Sequence, residues 1–211
     1  SNAASDVEFT KSQHENFIRL AGGRGLIAHT QNSGSILYHT DFPEEYVRAG
    51  IILYGQKPSA LLDIPIELKP ILTLKSRISQ IKEIPAGRFI SYGRTFVSEK
   101  PMKIAVVPIG YADGYPRLLS GKAKMTVCGR QAAVLGTVCM DMAMLDVTDI
   151  SEVRVGDTVK VYSAEKDEFS VDDAAALCKT INYELLCNVG MRVPRIFIKG
   201  GKIVGITRYV K

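Results

Sequence analysis

Two tyrosines, a carboxylate and an arginine share one short stretch of this chain, Gly110-Tyr111-Ala112-Asp113-Gly114-Tyr115-Pro116-Arg117, which follows directly on the apolar Val107-Pro108-Ile109. A turn of that composition presents titratable and aromatic groups where small molecules can reach them. Taken alone it reads equally as a surface turn whose tyrosines keep their rings down and their hydroxyls in water. A third tyrosine, Tyr92, sits in Ile90-Ser91-Tyr92-Gly93-Arg94. A phenol titrates near a pKa of roughly 10, so it exchanges protons at neutral pH only where a cation or hydrogen bonds favour the phenolate. Arg94 is the local candidate for that cation. Two further stretches, His29-Thr30-Gln31-Asn32-Ser33 and Arg48-Ala49-Gly50-Ile51, have the makings of an anion cradle. Asn32 and Ser33 offer a hydroxyl and backbone N–H groups at a helix start, Gly50 lets backbone approach closely, and Arg48 is a fixed cation. Asn-Ser before a helix also reads as a plain cap. Met140-Asp141 lies between apolar stretches, where a buried carboxylate needs a partner. Thr180-Ile181-Asn182-Tyr183-Glu184 and Arg192-Val193-Pro194-Arg195 follow it.

Composition bounds what these groups serve. The chain has 211 residues, 46% hydrophobic and 23% charged, enough for one large core or two small ones. Its net charge of +5 comes from 27 basic and 22 acidic residues scattered without runs, which points away from nucleic acid while leaving an anionic ligand open. No apolar run is long enough to span a bilayer, and no secretory pattern is present, so a cytoplasmic location without membrane contact is expected. Cys128, Cys139, Cys178 and Cys187 show no C-x-x-C spacing and are expected as buried thiols rather than as disulfides or zinc ligands. With His14, His29 and His39 as the only histidines, no metal site is expected.

The elements that must position these groups fall into two styles. A helix over about Thr10–Leu20 is broken by Gly22-Gly23-Arg24-Gly25; Leu26–Ala28 reads as a short buried strand; Asn32–Ser35 caps a second helical piece; and Val47–Leu53 reads as another buried strand. That is α/β alternation, too short to form a domain alone. From about Leu68 strands come at short intervals. A long bulged strand is expected through Leu72, Leu74, Ile78 and Ile81, with more at Lys103–Pro108, Lys124–Val127, Ala132–Val134, Ala143–Val147 and Thr158–Tyr162. Ser170-Val171-Asp172-Asp173 reads as a helix start, with a short helix after Tyr183. Arg195–Ile198 and Lys202–Tyr209 read as a hairpin around Gly200-Gly201.

The order of the pieces is informative. His-x-x-Asn-Ser, Val-Arg-x-Gly-Ile-x-Leu-Tyr-Gly, Leu-Lys-Ser-Arg, Ser-Tyr-Gly, Pro-Ile-Gly-Tyr-Ala-Asp-Gly-Tyr, Gly-x-Val-Cys-Met-Asp, Thr-Ile-Asn-Tyr-Glu and Arg-Val-Pro-Arg occur here in sequence. This series resembles the C-terminal portion of bacterial alanine racemases, over nearly all of residues 4–211. The resemblance implies a mainly β fold, an antiparallel β-barrel-like domain over 57–211. It would be preceded by the end of a pyridoxal-phosphate-binding (β/α)8 (TIM) barrel over 4–56, with 1–3 as a tag remnant. It implies an isomerase that interconverts L- and D-alanine for peptidoglycan and works as a head-to-tail homodimer.

Residue by residue, the resemblance assigns the cofactor phosphate to Asn32, Ser33, Gly50, Ile51 and Tyr183, and the pyridine nitrogen to Arg48. A guanidinium gives up no proton to that nitrogen, so the ring becomes a weaker electron sink. Tyr92 is implied as one of two bases flanking the α-carbon, and it would serve the partner subunit's cofactor. Met140 is implied at the substrate carboxylate across the dimer. Tyr111, Asp113, Arg117 and Ile181 are implied along the access corridor. The second base would be the cofactor lysine of a Lys-Ala-Asn-Ala-Tyr-Gly-His type motif, which this sequence does not contain. Lys57, Lys69 and Lys75 stand in no comparable context, so the chain by itself is expected to be inactive and to hold cofactor poorly. Alternatives are the racemase domain of a membrane-anchored serine/alanine racemase of vancomycin resistance, a related decarboxylase, and a non-catalytic β-barrel dimerisation module.

Overall fold

The computed structural model describes residues 6–39, 41–42, 45–59, 64 and 66–208. Its contacts divide the chain into two compact units, Ser1–Ile71 and Leu72–Lys211. In the first, α1 (Val7–Ala21) starts at Asp6, whose carboxylate accepts the Phe9 N–H at 3.1 Å, and stops at Gly22. The short helix α2 (Ser33–Tyr38) is capped by Asn32, whose side-chain oxygen accepts the Ser35 N–H at 3.0 Å. A 3-10 helix, Ile51–Tyr54, ends at Gly55 with φ 69°. Only glycine serves there, because a Cβ would lie 1.8 Å from the Lys69 carbonyl oxygen. The Ile71 N–H donates to the Tyr54 carbonyl at 3.2 Å within this unit.

The two buried strands expected here are not formed. Leu26 and Ile27 are exposed and unpaired, and Val47 leads through an irregular segment into the 3-10 helix. A lone apolar run becomes a strand only beside a paired neighbour, and among the described residues neither run has one. Arg48 in the second run donates its N–H to the carbonyl of Gln31, three residues past the first, at 2.8 Å.

The second unit is built on eleven strands. These are β1 (Leu74–Arg77), β2 (Gln80–Ile84), β3 (Phe89–Ile90), β4 (Phe96–Val97), β5 (Met102–Val107), β6 (Lys124–Val127), β7 (Arg130–Leu135), β8 (Ala143–Asp146), β9 (Thr158–Tyr162), β10 (Arg195–Lys199) and β11 (Lys202–Thr207). Seven of them form one antiparallel sheet in the order β1-β9-β6-β7-β8-β5-β2. The outermost two, β1 and β2, are consecutive in the chain and separated only by Ile78 and Ser79. The sheet therefore curls until its edges meet, which is what barrel-like means here. Ile78 N–H donates to Asp157 at 3.0 Å on one side of the seam and Ser79 N–H to Val106 at 2.9 Å on the other. The single bulged strand expected over this stretch is thus two strands, because the chain changes partner from β9 to β5 at that corner.

Inside the curl, Val107, Met125, Val127, Leu145, Val159 and Val161 are fully buried, and burial at about 25 cal/mol per Å² of apolar surface drives the packing. Tyr115 and Tyr162 join them with ring centroids 5.8 Å apart, and their hydroxyls find no hydrogen-bond partner among the described residues.

Two helices follow the sheet. In α3 (Val171–Cys178), Ser170 and Asp173 cap each other: the Asp173 N–H donates to Ser170 Oγ at 3.1 Å and the Ser170 N–H to Asp173 Oδ2 at 2.8 Å. α4 (Asn182–Asn188) comes next, and β10 and β11 close the chain as the expected hairpin, with Gly200 and Gly201 at positive φ; Tyr209 lies outside the described residues.

The cysteines depart from expectation. All four are free thiols, but Cys128 and Cys187 are exposed and Cys139 and Cys178 half-buried. Cys128 occupies the tight β6–β7 turn at φ 50°, which turns its side chain outward, and Cys187 lies on the face of α4 away from buried Leu185. No helix among the described residues is long and apolar enough to cross a membrane.

Candidate active site

In the first unit the structure gathers five of the six residues that the resemblance assigns to the cofactor, Asn32, Ser33, Arg48, Gly50 and Ile51, around the start of α2; the sixth, Tyr183, belongs to the second unit. Gly50 N–H donates to Ser33 Oγ at 3.0 Å, so the first turn of α2 and the first residue of the 3-10 helix, Ile51, lie side by side. A Cβ on Gly50 would stand 3.6 Å from that hydroxyl, ordinary contact, so the glycine keeps the space open rather than avoiding a clash. Asn32 spends its side-chain oxygen on the cap, while Ser33 and Ile51 are buried. Arg48 is exposed, yet its guanidinium is tied to the backbone carbonyl of His29, with His29 Nδ1 at 3.1 Å and Thr30 carbonyl at 3.5 Å. Two backbone turns thus meet at the start of α2 beside an oriented guanidinium.

In the second unit Tyr92 stands on a strained turn. Ser91, Gly93 and Arg94 have φ of 67°, 73° and 52°, and strain at non-glycine positions is tolerated only where neighbours hold it in place. The holding groups are identifiable. Ser91 Oγ donates to the Thr137 carbonyl at 2.5 Å, Thr137 Oγ1 donates to the Tyr92 carbonyl at 3.0 Å, and Thr95 and Thr137 hydroxyls meet at 3.2 Å. Gly136 lies so close that a Cβ there would be 2.6 Å from the Ile90 carbonyl oxygen. The backbone is strapped while the side chain is 73% exposed. Arg94 does not turn to its neighbour as expected; its guanidinium covers the Phe89 ring at 5.1 Å, because the left-handed backbone at Arg94 sends the side chain that way.

Three residues past Thr137 comes Met140, and the Gly110–Gly114 turn rests directly on it. Tyr111 N–H donates to the Cys139 carbonyl at 3.1 Å and Ala112 N–H to the Met140 carbonyl at 3.0 Å. A side chain at Gly110 would lie 2.2 and 2.4 Å from those same two carbonyl oxygens, so this approach requires glycine. Asp113 faces inward, its side chain 14% exposed: Oδ2 accepts the Gly110 N–H at 2.9 Å and Oδ1 accepts Arg192 Nε at 2.7 Å. The other end of the same guanidinium donates to Asp141 Oδ1 at 2.6 Å. Asp141, expected to need a partner if buried, is instead half-exposed and still partnered.

The remaining corridor candidates spread around this centre. Tyr111 lines an open cleft of about 460 Å³ with Thr180 and the α4 residues Glu184 and Asn188, next to exposed Ile181. Tyr183 is half-buried on α4, and burial pushes its phenol above the usual tyrosine range. Arg117 starts the 3-10 helix Arg117–Leu119, exposed and packed beside α3.

Thus Tyr92, Met140, Tyr111 and Asp113 share one hydrogen-bonded assembly in the second unit, Asn32, Ser33, Arg48, Gly50 and Ile51 share one in the first, and Arg117 stands apart from the Arg192 contacts. Sequence spacing named Arg192 only as a cation of the Arg-Val-Pro-Arg stretch, without its partners, and gave Thr137 no role. Their partners are 79, 51 and 45 or 46 residues away, which no local spacing reveals; the only hint is an arginine left over against two loop carboxylates.

Comparison with known proteins identifies the family. Residues 71–197 match the family model for the alanine racemase C-terminal domain. Alanine racemase 1 of Clostridium acetobutylicum is 46% identical over 214 residues, covering 98% of this chain and 55% of its own length. An alanine racemase of Clostridium perfringens is 45% identical over 209 residues, covering 97% and 52%. Among solved structures, alanine racemase from Clostridium difficile 630 superposes with a TM-score of 0.91 at 35% identity, covering all of this chain and 56% of its own. The Bacillus anthracis alanine racemase solved with bound L-Ala-P gives 0.89 at 32%, covering 99% and 56%. The chain spans about half the length of the curated relatives it matches. The curled, mainly antiparallel β fold is that of these enzymes' C-terminal portion, and the chain belongs to the alanine racemase family.

Proposed function

We propose that this chain is the C-terminal part of a pyridoxal-phosphate-dependent enzyme that interconverts L- and D-alanine, and that it supplies one of the two proton-transferring groups. The observation that carries this reading is the placement of Tyr92: a 73% exposed phenol on a turn strapped through Ser91 and Thr137 to the segment that presents Met140. Racemisation needs a proton removed on one face of the α-carbon and returned on the other, so a base must be held at a fixed position, and a phenol presented on the surface of its own subunit is free to serve a partner's site. Tyr92 exchanges the proton at its phenol oxygen, and Met140 meets the substrate carboxylate, both in the partner subunit of a homodimer. Asn32, Ser33, Gly50, Ile51 and Tyr183 hold the cofactor phosphate, and Arg48 faces the ring nitrogen. The cofactor, when bound, supplies the electron sink that makes the α-proton acidic. The family's lysine motif does not occur in this sequence, so the chain alone is expected not to racemise alanine, and D-alanine for the cell wall is the product of the longer protein.

The test is Tyr92→Phe in the full-length protein, followed by polarimetry and by solvent deuterium incorporation from each alanine enantiomer. Loss of a positioned base lowers the rate about 10²- to 10⁴-fold. Because Tyr92 is exposed, the melting temperature stays within about 2 °C. Undiminished conversion in both directions refutes the assignment.

A further inference from the structure

Resting on that reading of the site, we propose that Arg192 is a positioning residue that sets substrate affinity, by bridging the corridor turn and the Met140 loop and offsetting one of the two carboxylate charges they carry. One guanidinium reaches both: Nε to Asp113 at 2.7 Å and Nη2 to Asp141 at 2.6 Å. Its own backbone is rigid. Arg195 donates to the carbonyls of Val189, Gly190 and Val193 at 2.7, 2.5 and 2.6 Å, and the Gly190 N–H donates to the Asp113 carbonyl at 2.8 Å. The turn that carries Arg192 is therefore anchored to the corridor turn before its side chain acts.

The two carboxylates differ in what else holds them. Asp113 has a second partner in the Gly110 N–H, whereas Asp141, 54% exposed, has only the arginine among the hydrogen bonds described. Asp141 is adjacent to Met140, so its free carboxylate would stand beside the place where the substrate carboxylate arrives. One arginine against two aspartates leaves one negative charge at this mouth, and removing the arginine leaves two. Like charges at short range disfavour each other, and salt screens such exposed charges.

Kinetics of the full-length protein test this. Arg192→Ala raises KM for alanine roughly two- to five-fold, in keeping with exposed ion pairs, and leaves kcat within about two-fold. The rise shrinks as ionic strength goes from about 0.05 to 0.5 M, which a merely structural defect would not do. Arg192→Ala combined with Asp141→Asn returns the mouth to one negative charge and restores KM. Arg192→Lys, able to neutralise but not to bridge in the same fork, falls between. An unchanged KM, a loss confined to kcat, or no rescue by Asp141→Asn overturns the proposal. If Arg192→Ala melts out, Arg192→Lys and the salt series decide it instead, a KM equal to wild type and indifferent to salt counting against it. A wild-type protein without alanine racemisation overturns the functional reading itself, a separate outcome.

Discussion

Replacing Gly110 by alanine tests the contact on which the site geometry depends. The backbone at Gly110 is extended, φ −155°, so alanine brings no torsional penalty of its own. Its Cβ would stand 2.2 Å from the Cys139 carbonyl oxygen and 2.4 Å from that of Met140, where ordinary contact begins at 3.4 Å. Both obstacles are backbone, which no rotamer change relieves. The corridor turn must back away by 3.4 − 2.2 = 1.2 Å. A shift of that size carries Tyr111 N–H···O=C Cys139 from 3.1 Å and Ala112 N–H···O=C Met140 from 3.0 Å out of hydrogen-bond range. Two backbone bonds at about 1 kcal/mol net each give a loss of about 2 kcal/mol. For a protein of this size that lowers the melting temperature by about 4–8 °C. Gly121→Ala is the control: at φ 64° with nothing within 4 Å, it carries only left-handed strain of about 1–2 kcal/mol and no steric conflict. Thermal unfolding followed by circular dichroism measures both, and in the full-length protein Gly110→Ala should also raise KM, which Gly121→Ala should not. A Gly110→Ala protein that melts within about 2 °C of wild type, with KM unchanged, refutes the close approach as described.

Two further outcomes follow from the core and the ion pairs. Burial alone would raise the Glu168 carboxyl, but hydrogen bonds from Ser163 and Lys160, and the charges of Lys160 and Lys75, hold it below its ordinary value of 4.5. A carboxyl depressed in the fold contributes stability above its unfolded pKa and loses it as pH falls through the folded value. Glu168→Gln should therefore cost stability at pH 7 and make the urea midpoint fall less steeply from about pH 5 to pH 3 than in wild type; parallel curves would contradict this. Tyr162→Phe removes a buried hydroxyl with no partner among the described residues, so stability should hold or rise by up to about 1 kcal/mol. A drop of several degrees in melting temperature would mean that the hydroxyl is satisfied after all.

What was legible in the sequence was local. Ser170 with Asp173 announced a helix start because a capping box needs only three residues of separation, and β6 and β9 matched their apolar runs to the residue. Leu26–Ala28 and Val47–Leu53 were misread for the complementary reason. Apolarity marks a segment that wants a neighbour, and pairing is decided by whether one is there. The single strand expected through Ile78 failed at a change of partner, which periodicity does not register.

The ordered motifs sufficed to identify the family and pointed to Tyr92, Met140 and the Asn32–Ser33 and Gly50–Ile51 steps as candidates, since chain order and residue type survive without coordinates. What only the tertiary structure decided is how Tyr92 is held, through hydroxyls contributed from Thr137, and that Arg192 spans Asp113 and Asp141. Both are accompanied by glycines that let backbones touch, Gly136 against Ile90 and Gly110 against Cys139 and Met140. Those are long-range contacts, whose energies depend on distances between segments that the linear order of residues leaves unspecified.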